Sequence, residues 1–184
     1  MKFFPQLPLK LIAATIIFTS ADPIIFPQPV IASEIKKVAA ENGDYLRLIS
    51  VHTNESTVGT RNTRYTFTIN VPKSSQPLKR ISITQRGGLE LIKFKGRKVK
   101  AYGSSKDQQK IQISQIDIDS KTQGLTATFD PLVQPGQILK IVLLVNENPL
   151  SDGNYFFNVV VYSQGKYETV VSLGTGRLRI TSIR

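Results

Sequence analysis

The residues best able to do chemistry lie between Lys93 and Tyr102, where the stretch KFKGRKVKAY carries five basic side chains, Lys93, Lys95, Arg97, Lys98 and Lys100, and no acid. Cations at that density hold carboxylates, sulfates or phosphates through charge-assisted hydrogen bonds. Read as two strand arms joined at Gly96-Arg97, the stretch puts Ile92, Phe94, Val99 and Ala101 on one face and gathers the lysines on the other. Two readings stand side by side. In one, the lysines are the wet side of an edge hairpin and discourage strand addition. In the other, they form a patch that binds polyanions. Only Tyr102 offers an aromatic plane nearby, whereas proteins that hold single-stranded nucleic acid stack several bases along a groove, which argues against that partner.

Other chemistry finds less support. The single histidine, His52, has no cysteine or second histidine to help it hold zinc. Asp117 and Asp119 open a stretch, DIDSKTQG, with a faint calcium-loop look, but no later glutamate closes it. Ser33 to Lys36 spells Ser-x-x-Lys and Ser151 to Gly153 spells Ser-Asp-Gly, yet no Lys-Thr-Gly follows and Ser33 serves better as a helix cap. No phosphate-binding loop, dinucleotide fingerprint or Gly-x-Ser-x-Gly elbow occurs. A pair of carboxylates for glycoside hydrolysis is a question of distance, which sequence does not fix. Asn54 to Ser56 matches a glycosylation acceptor and reads as a polar loop. No metal, cofactor or catalytic residue is assigned.

The elements that must position the basic stretch are strands. From Tyr45 onward the apolar period is two. Tyr65, Phe67, Ile69 and Val71 alternate with Thr66, Thr68 and Asn70; Leu125, Ala127 and Phe129, Ile81 and Ile83, and Leu178 and Ile180 repeat the pattern, with Arg177 and Arg179 outward. The phase flips within YLRLISV and within IQISQIDID, which predicts bulges near Leu48 and near Ser114 and Gln115, where a strand can change sheets. Gly- and Pro-rich turns punctuate these runs at the spacing of eight or nine short strands. The chain reads as one all-β domain, an antiparallel β-sandwich of Ig-like type over residues 45–184. ILKIVLLV and NYFFNVVVYS are apolar on both faces; their second face is covered by the N-terminal segment or docks a partner.

The chain has 184 residues and a net charge of +11, from 24 basic and 13 acidic side chains, so anionic partners are favoured. It has no cysteine, which excludes disulfides and thiolate chemistry. Lys2 and Lys10 precede the apolar run from Leu11 to Thr19, the length of a signal-peptide core and too short for a membrane span. A signal peptide is therefore expected over residues 1–21, with cleavage after Ala21 or as late as Ala32. Residues 22–44 then form an N-terminal segment with one short helix, from a Ser33 cap to Gly43. The mature chain is expected to be periplasmic or extracellular, without a membrane span, and stays basic after either cut.

Three segments, FDPLVQPGQILKIVLL (Phe129 to Leu144), NPLSDGNYFFNVVVYSQG (Asn148 to Gly165) and LGTGRLRI (Leu173 to Ile180), resemble cyanobacterial exported proteins catalogued as domain of unknown function 2808. The resemblance runs from about Tyr45 to the end. It implies a secreted or periplasmic β-protein and no activity. Its motifs read as fold-making: Pro135-Gly136 suits a tight turn, Asn148-Pro149 ends a strand, and Asp152-Gly153 turns the chain into the aromatic strand. Residues 73 to 110 depart from the family pattern in being so basic, so no role for them is implied.

The expected function is a non-catalytic binding or structural module of the cell envelope with a basic face for anionic surfaces. Its partner would be an acidic glycan, a lipid headgroup or an envelope protein. The alternatives are a docking or self-associating module that uses the apolar face of residues 141 to 145 and 155 to 162, and a hydrolase.

Overall fold

The alternation from Tyr45 onward becomes two stacked sheets. The computed structural model describes residues 44–103 and 109–182. Ten strands form in this order: β1 (Arg47–Thr53), β2 (Arg64–Val71), β3 (Leu78–Gly87), β4 (Lys100–Gly103), β5 (Lys110–Ile111), β6 (Ile113–Ile118), β7 (Leu125–Val133), β8 (Gln137–Leu144), β9 (Gly153–Gln164) and β10 (Glu168–Ile180). A 3₁₀ turn covers Gly96–Lys98. The first sheet runs β1-β2-β8-β4-β5 and the second β10-β9-β3-β7-β6. All paired strands are antiparallel. The fold class is the antiparallel Ig-like sandwich expected from the sequence, and no α-helix occurs among the described residues. The export signal, both cleavage points and the Ser33 to Gly43 helix lie outside those residues.

Both phase flips are register breaks. The β1–β2 ladder shifts between Leu48 and Ser50, and the β6–β7 ladder between Ile113 and Gln115. IQISQIDID is therefore two strands rather than one, and the chain crosses from the first sheet to the second between Ile111 and Ile113. At the Pro135-Gly136 turn, Gly136 has φ of +82° and its N–H donates to the Val71 carbonyl at 2.8 Å. A side chain at that φ would clash with its own backbone.

The apolar strands differ from expectation in one respect. Leu139, Ile141, Leu143 and Val145 of the β8 segment and Tyr155, Phe157, Val159 and Val161 of β9 are buried between the sheets. Their other faces cannot form one docking surface, because β8 belongs to the first sheet and β9 to the second, so the two sets point outward on opposite sides. Neighbouring side chains lie over part of the β9 set: the Arg80 guanidinium sits 4.5 Å from the centre of the half-buried Tyr162 ring.

Phe157 is the hub of the core. Its ring meets Tyr65 at 6.3 Å and 69°, Phe67 at 5.5 Å and 89°, and Phe94 at 6.2 Å. Edge-to-face contact sets the positive ring edge against a negative face and adds to the gain from burial. At one end of this cluster the Tyr65 hydroxyl donates to Asn148 Oδ1 at 2.9 Å. Asn148 Nδ2 donates in turn to the carbonyls of Glu55 and Thr57, at 3.0 and 2.8 Å. Burial, with Tyr155 adding to it, pushes the Tyr65 hydroxyl far above its ordinary range and keeps it a donor. The Asn-Pro motif thus ties the β1–β2 connection to the ends of β2 and β8.

In the β6–β7 turn the carboxylates of DIDSKTQG take local partners. Asp119 Oδ1 accepts the Thr122 N–H at 2.6 Å, the Thr122 hydroxyl at 2.9 Å and the Lys121 N–H at 2.9 Å. The Asp117 carboxylate takes the Gln115 amide. The carboxylates are spent on local turn and strand contacts, and no cluster of three metal-ligating side chains occurs among the described residues.

Two outcomes are expected. Phe157→Ala should cost about 3–5 kcal/mol of unfolding free energy in urea titration, the range for emptying a buried aromatic site. The Thr122 hydrogen bonds hold the Asp119 carboxyl below the 3.8 ordinary for aspartate. A lowered folded pKa contributes stability that is complete above the unfolded value and lost as pH falls through the folded one. The Thr122 amide resonance should therefore titrate at a pH below the ordinary aspartate range, and in Asp119→Asn that titration should vanish.

Candidate functional site

The KFKGRKVKAY stretch does not fold as a hairpin. Its two arms run in one direction along the same neighbour: Phe94 bridges Val145, and Lys100, Ala101, Tyr102 and Gly103 then pair with Val142, Ile141, Lys140 and Leu139 of β8. The 3₁₀ turn between them is a bulge in one interrupted strand. The cause is burial: Ile92 and Phe94 on the first arm and Ala101 on the second all enter the core, so both arms must lie against the sheet. Gly96 allows the bulge its tight approach, since a Cβ there would stand 2.9 Å from Ile118 Cδ1.

With those side chains inward, the alternating ones must face outward. Lys98 and Lys100 are exposed on the outer face of the first sheet. Lys95 reaches the end of that face, where its Nζ donates to Asn62 Oδ1 at 2.7 Å. Lys93 is exposed on the incoming arm, and its carbonyl accepts the Asn146 N–H at 3.3 Å. The Arg97 side chain lies outside the description.

Sheet register brings in cations that sequence analysis did not group with these. His52, Thr66, Val142 and Lys100 form one row across β1, β2, β8 and β4. The adjacent row runs Ser50, Thr68, Lys140, Tyr102 and Lys110. Arg64 stands opposite Leu144. Short side chains on β8 and β2, Val142, Leu144 and Thr66, lie among longer ones on all sides, so the sheet face becomes a trough. It measures about 640 Å³ and is rimmed by Arg64, Lys98, Lys100, Lys140, His52 and Asn62.

Among the described residues no carboxylate lines this trough. Among the described residues the ion pairs are Arg61 with Glu147 and Arg80 with Glu168, so none of Arg64, Lys98, Lys100 and Lys140 has an acid within 4.0 Å. Like charges gathered without counter-ions on a concave, partly apolar surface reinforce one another's potential. The arrangement can hold an anion. It offers no acid pair for hydrolysis. The signal for Lys140 was present in ILKIVLLV as the one charge in an apolar strand, and for Arg64 as the outward residue heading β2.

Among solved structures, the chain is similar to the collagen-binding domain of a Staphylococcus aureus adhesin, with a TM-score of 0.47 and 9% identity over 75% of this chain and 97% of that one. It is similar to ACE19, the collagen-binding subdomain of an Enterococcus faecalis surface protein, with a TM-score of 0.44 and 13% identity over 74% and 98%. An uncharacterised Nocardia farcinica protein with an immunoglobulin-like fold gives a TM-score of 0.42 and 15% identity over 74% and 99%. No curated protein matches the chain. The sequence itself is more telling: residues 38–180 match the family described as protein of unknown function (DUF2808), and the chain belongs to that family.

Proposed function

We propose that this protein is a non-catalytic binding module of the cell envelope, exported by its N-terminal signal, that captures anionic ligands on the outer face of its first sheet. The observation that carries this reading is the trough in which Arg64, Lys98, Lys100 and Lys140 converge from three strands and the 3₁₀ turn, with no acid among the described residues that line it. A merely solvated sheet face intersperses both signs of charge, because clustered like charges destabilise the fold. The opposite face supports the contrast. Its central rows, Ser172, Val160, Ser82, Thr126 and Asp117, and Thr175, Asn158 and Thr84, hold no cation, its Arg80 meets Glu168, and its exposed Arg177 and Arg179 lie on the edge strand β10 rather than around a depression.

Chromatography on a sulfated heparin-type resin tests this. Reversing Lys98, Lys100 and Lys140 to glutamate should move elution to clearly lower salt than reversing the exposed Lys73, Lys121 and Lys166, which changes net charge equally but leaves the trough intact. Equal elution of the two variants would mean that total charge, not this face, does the binding.

A further inference from the structure

The ligand class can be narrowed, on the premise that the trough is the binding face. Beside it lies a second depression of about 500 Å³, formed by Val99, Lys100, Lys110, Ile111, Gln112, Ile113 and Ile116. Lys100 lines both. The second opens at the edge of the sandwich, where the core-side Val99 and Ile111 meet Ile113 and Ile116 of β6, so the outer face leads past Tyr102, Lys100 and Lys110 to this opening. The track from β2 across β8 and β4 to β5 spans about 15 Å at ordinary strand spacing. A single headgroup or free phosphate fills one depression only. An extended chain of several units fills both.

Midway along the track is an aromatic residue between two cations. Tyr102 pairs with Lys140 of β8 on one side and with Lys110 of β5 on the other. Its ring is half-buried and lines the trough, and both lysines are exposed. The lysine Cα atoms stand about 10 Å apart, two strand spacings. A pyranose ring presents an apolar C–H face suited to a tyrosine plane, while carboxylates on the neighbouring sugars reach ammonium groups on either side. Nucleic acid is a poor match, because a single aromatic cannot stack successive bases. A bilayer surface is a poor match too. The exposed large apolar side chains, among them Tyr45 and Ile49 at the β1 edge of this sheet and Leu89, Leu150 and Tyr167 elsewhere, line neither depression, so the track itself presents none to insert among lipids.

We infer that the track binds an extended acidic polysaccharide, with Tyr102 as the platform for one sugar ring and Lys140, Lys110 and Lys100 as the partners of its carboxylates.

Calorimetric titration of the full chain with a galacturonate hexasaccharide, with galacturonate itself and with phosphatidylglycerol vesicles tests the inference. The hexasaccharide should bind at least about tenfold more tightly than the monosaccharide, and vesicles weakly or not at all. Tyr102→Ala should weaken hexasaccharide binding about tenfold, while Tyr102→Phe, which keeps the ring plane, should stay near the parent value. Thermal midpoints within about 2 °C of the parent would show that these surface changes leave the fold intact. Binding that ignores chain length, a Tyr102→Ala variant equal to the parent, or vesicles bound in preference to the hexasaccharide would each overturn it. The heparin-type experiment separates the two levels. If face reversal lowers retention but the hexasaccharide results fail, only the polysaccharide assignment falls; if face reversal does nothing, the binding face falls with it.

Discussion

The packing of three rings around Phe157 determines more of this molecule than any polar contact. Phe157 rises from the second sheet and meets Tyr65 and Phe67 from the first, so it fixes how one sheet sits over the other. Its contact with Phe94 extends that constraint to a segment that is not regular strand. Phe94 fixed inward obliges Lys93 and Lys95 to face outward, because successive side chains of extended backbone point to opposite sides. The basic stretch is thus a consequence of core packing as much as of its own composition. It is held along β8 by Phe94 and Ala101 at its two ends, with the bulge at Gly96–Lys98 absorbing the extra residues.

Fixed in this way, the cations stay together despite their repulsion. Each is flanked across the sheet by a neutral partner: Lys100 faces Val142, Lys140 faces Thr68 and Tyr102, and Arg64 faces Leu144. Directly opposed like charges would cost more, so alternation across the rows keeps the cluster tolerable while its summed potential remains. Arg80 on the other sheet shows the structural use of a cation in this fold. Its guanidinium lies over Tyr162 and meets Glu168, a neutralised and partly shielded arrangement. The lysines of the open trough, which among the described residues meet no acid, are of another kind.

The strands were legible in the sequence because strand alternation is a local property. Tyr65 to Val71 and Leu125 to Phe129 bury the side chains that their spacing assigns to the core, and the flips near Leu48 and Ser114 become register breaks. The pairing was not legible. A hairpin between the arms flanking Gly96-Arg97 satisfies the same alternation as two arms laid end to end along β8, and the choice depends on a partner strand distant in sequence. The same limit split the apolar second faces of β8 and β9, which share a composition and not a sheet.

The site was legible only in the portion that is contiguous in sequence. Lys98 and Lys100 could be grouped from their spacing, but Lys140, Arg64 and His52 join them through register alone. Lys140 is the informative case. An ammonium group in an otherwise apolar central strand can only be outward, and in an antiparallel sheet an outward residue of a central strand is flanked on both sides by the outward residues of its neighbours. Once β8 is placed between β2 and β4 and the registers are set, the row that contains Tyr102 and the row that contains Lys100 follow. A lone charge in an apolar strand therefore marks which face of its sheet is wet, and its cross-strand neighbours are where the remainder of a charged site should be sought.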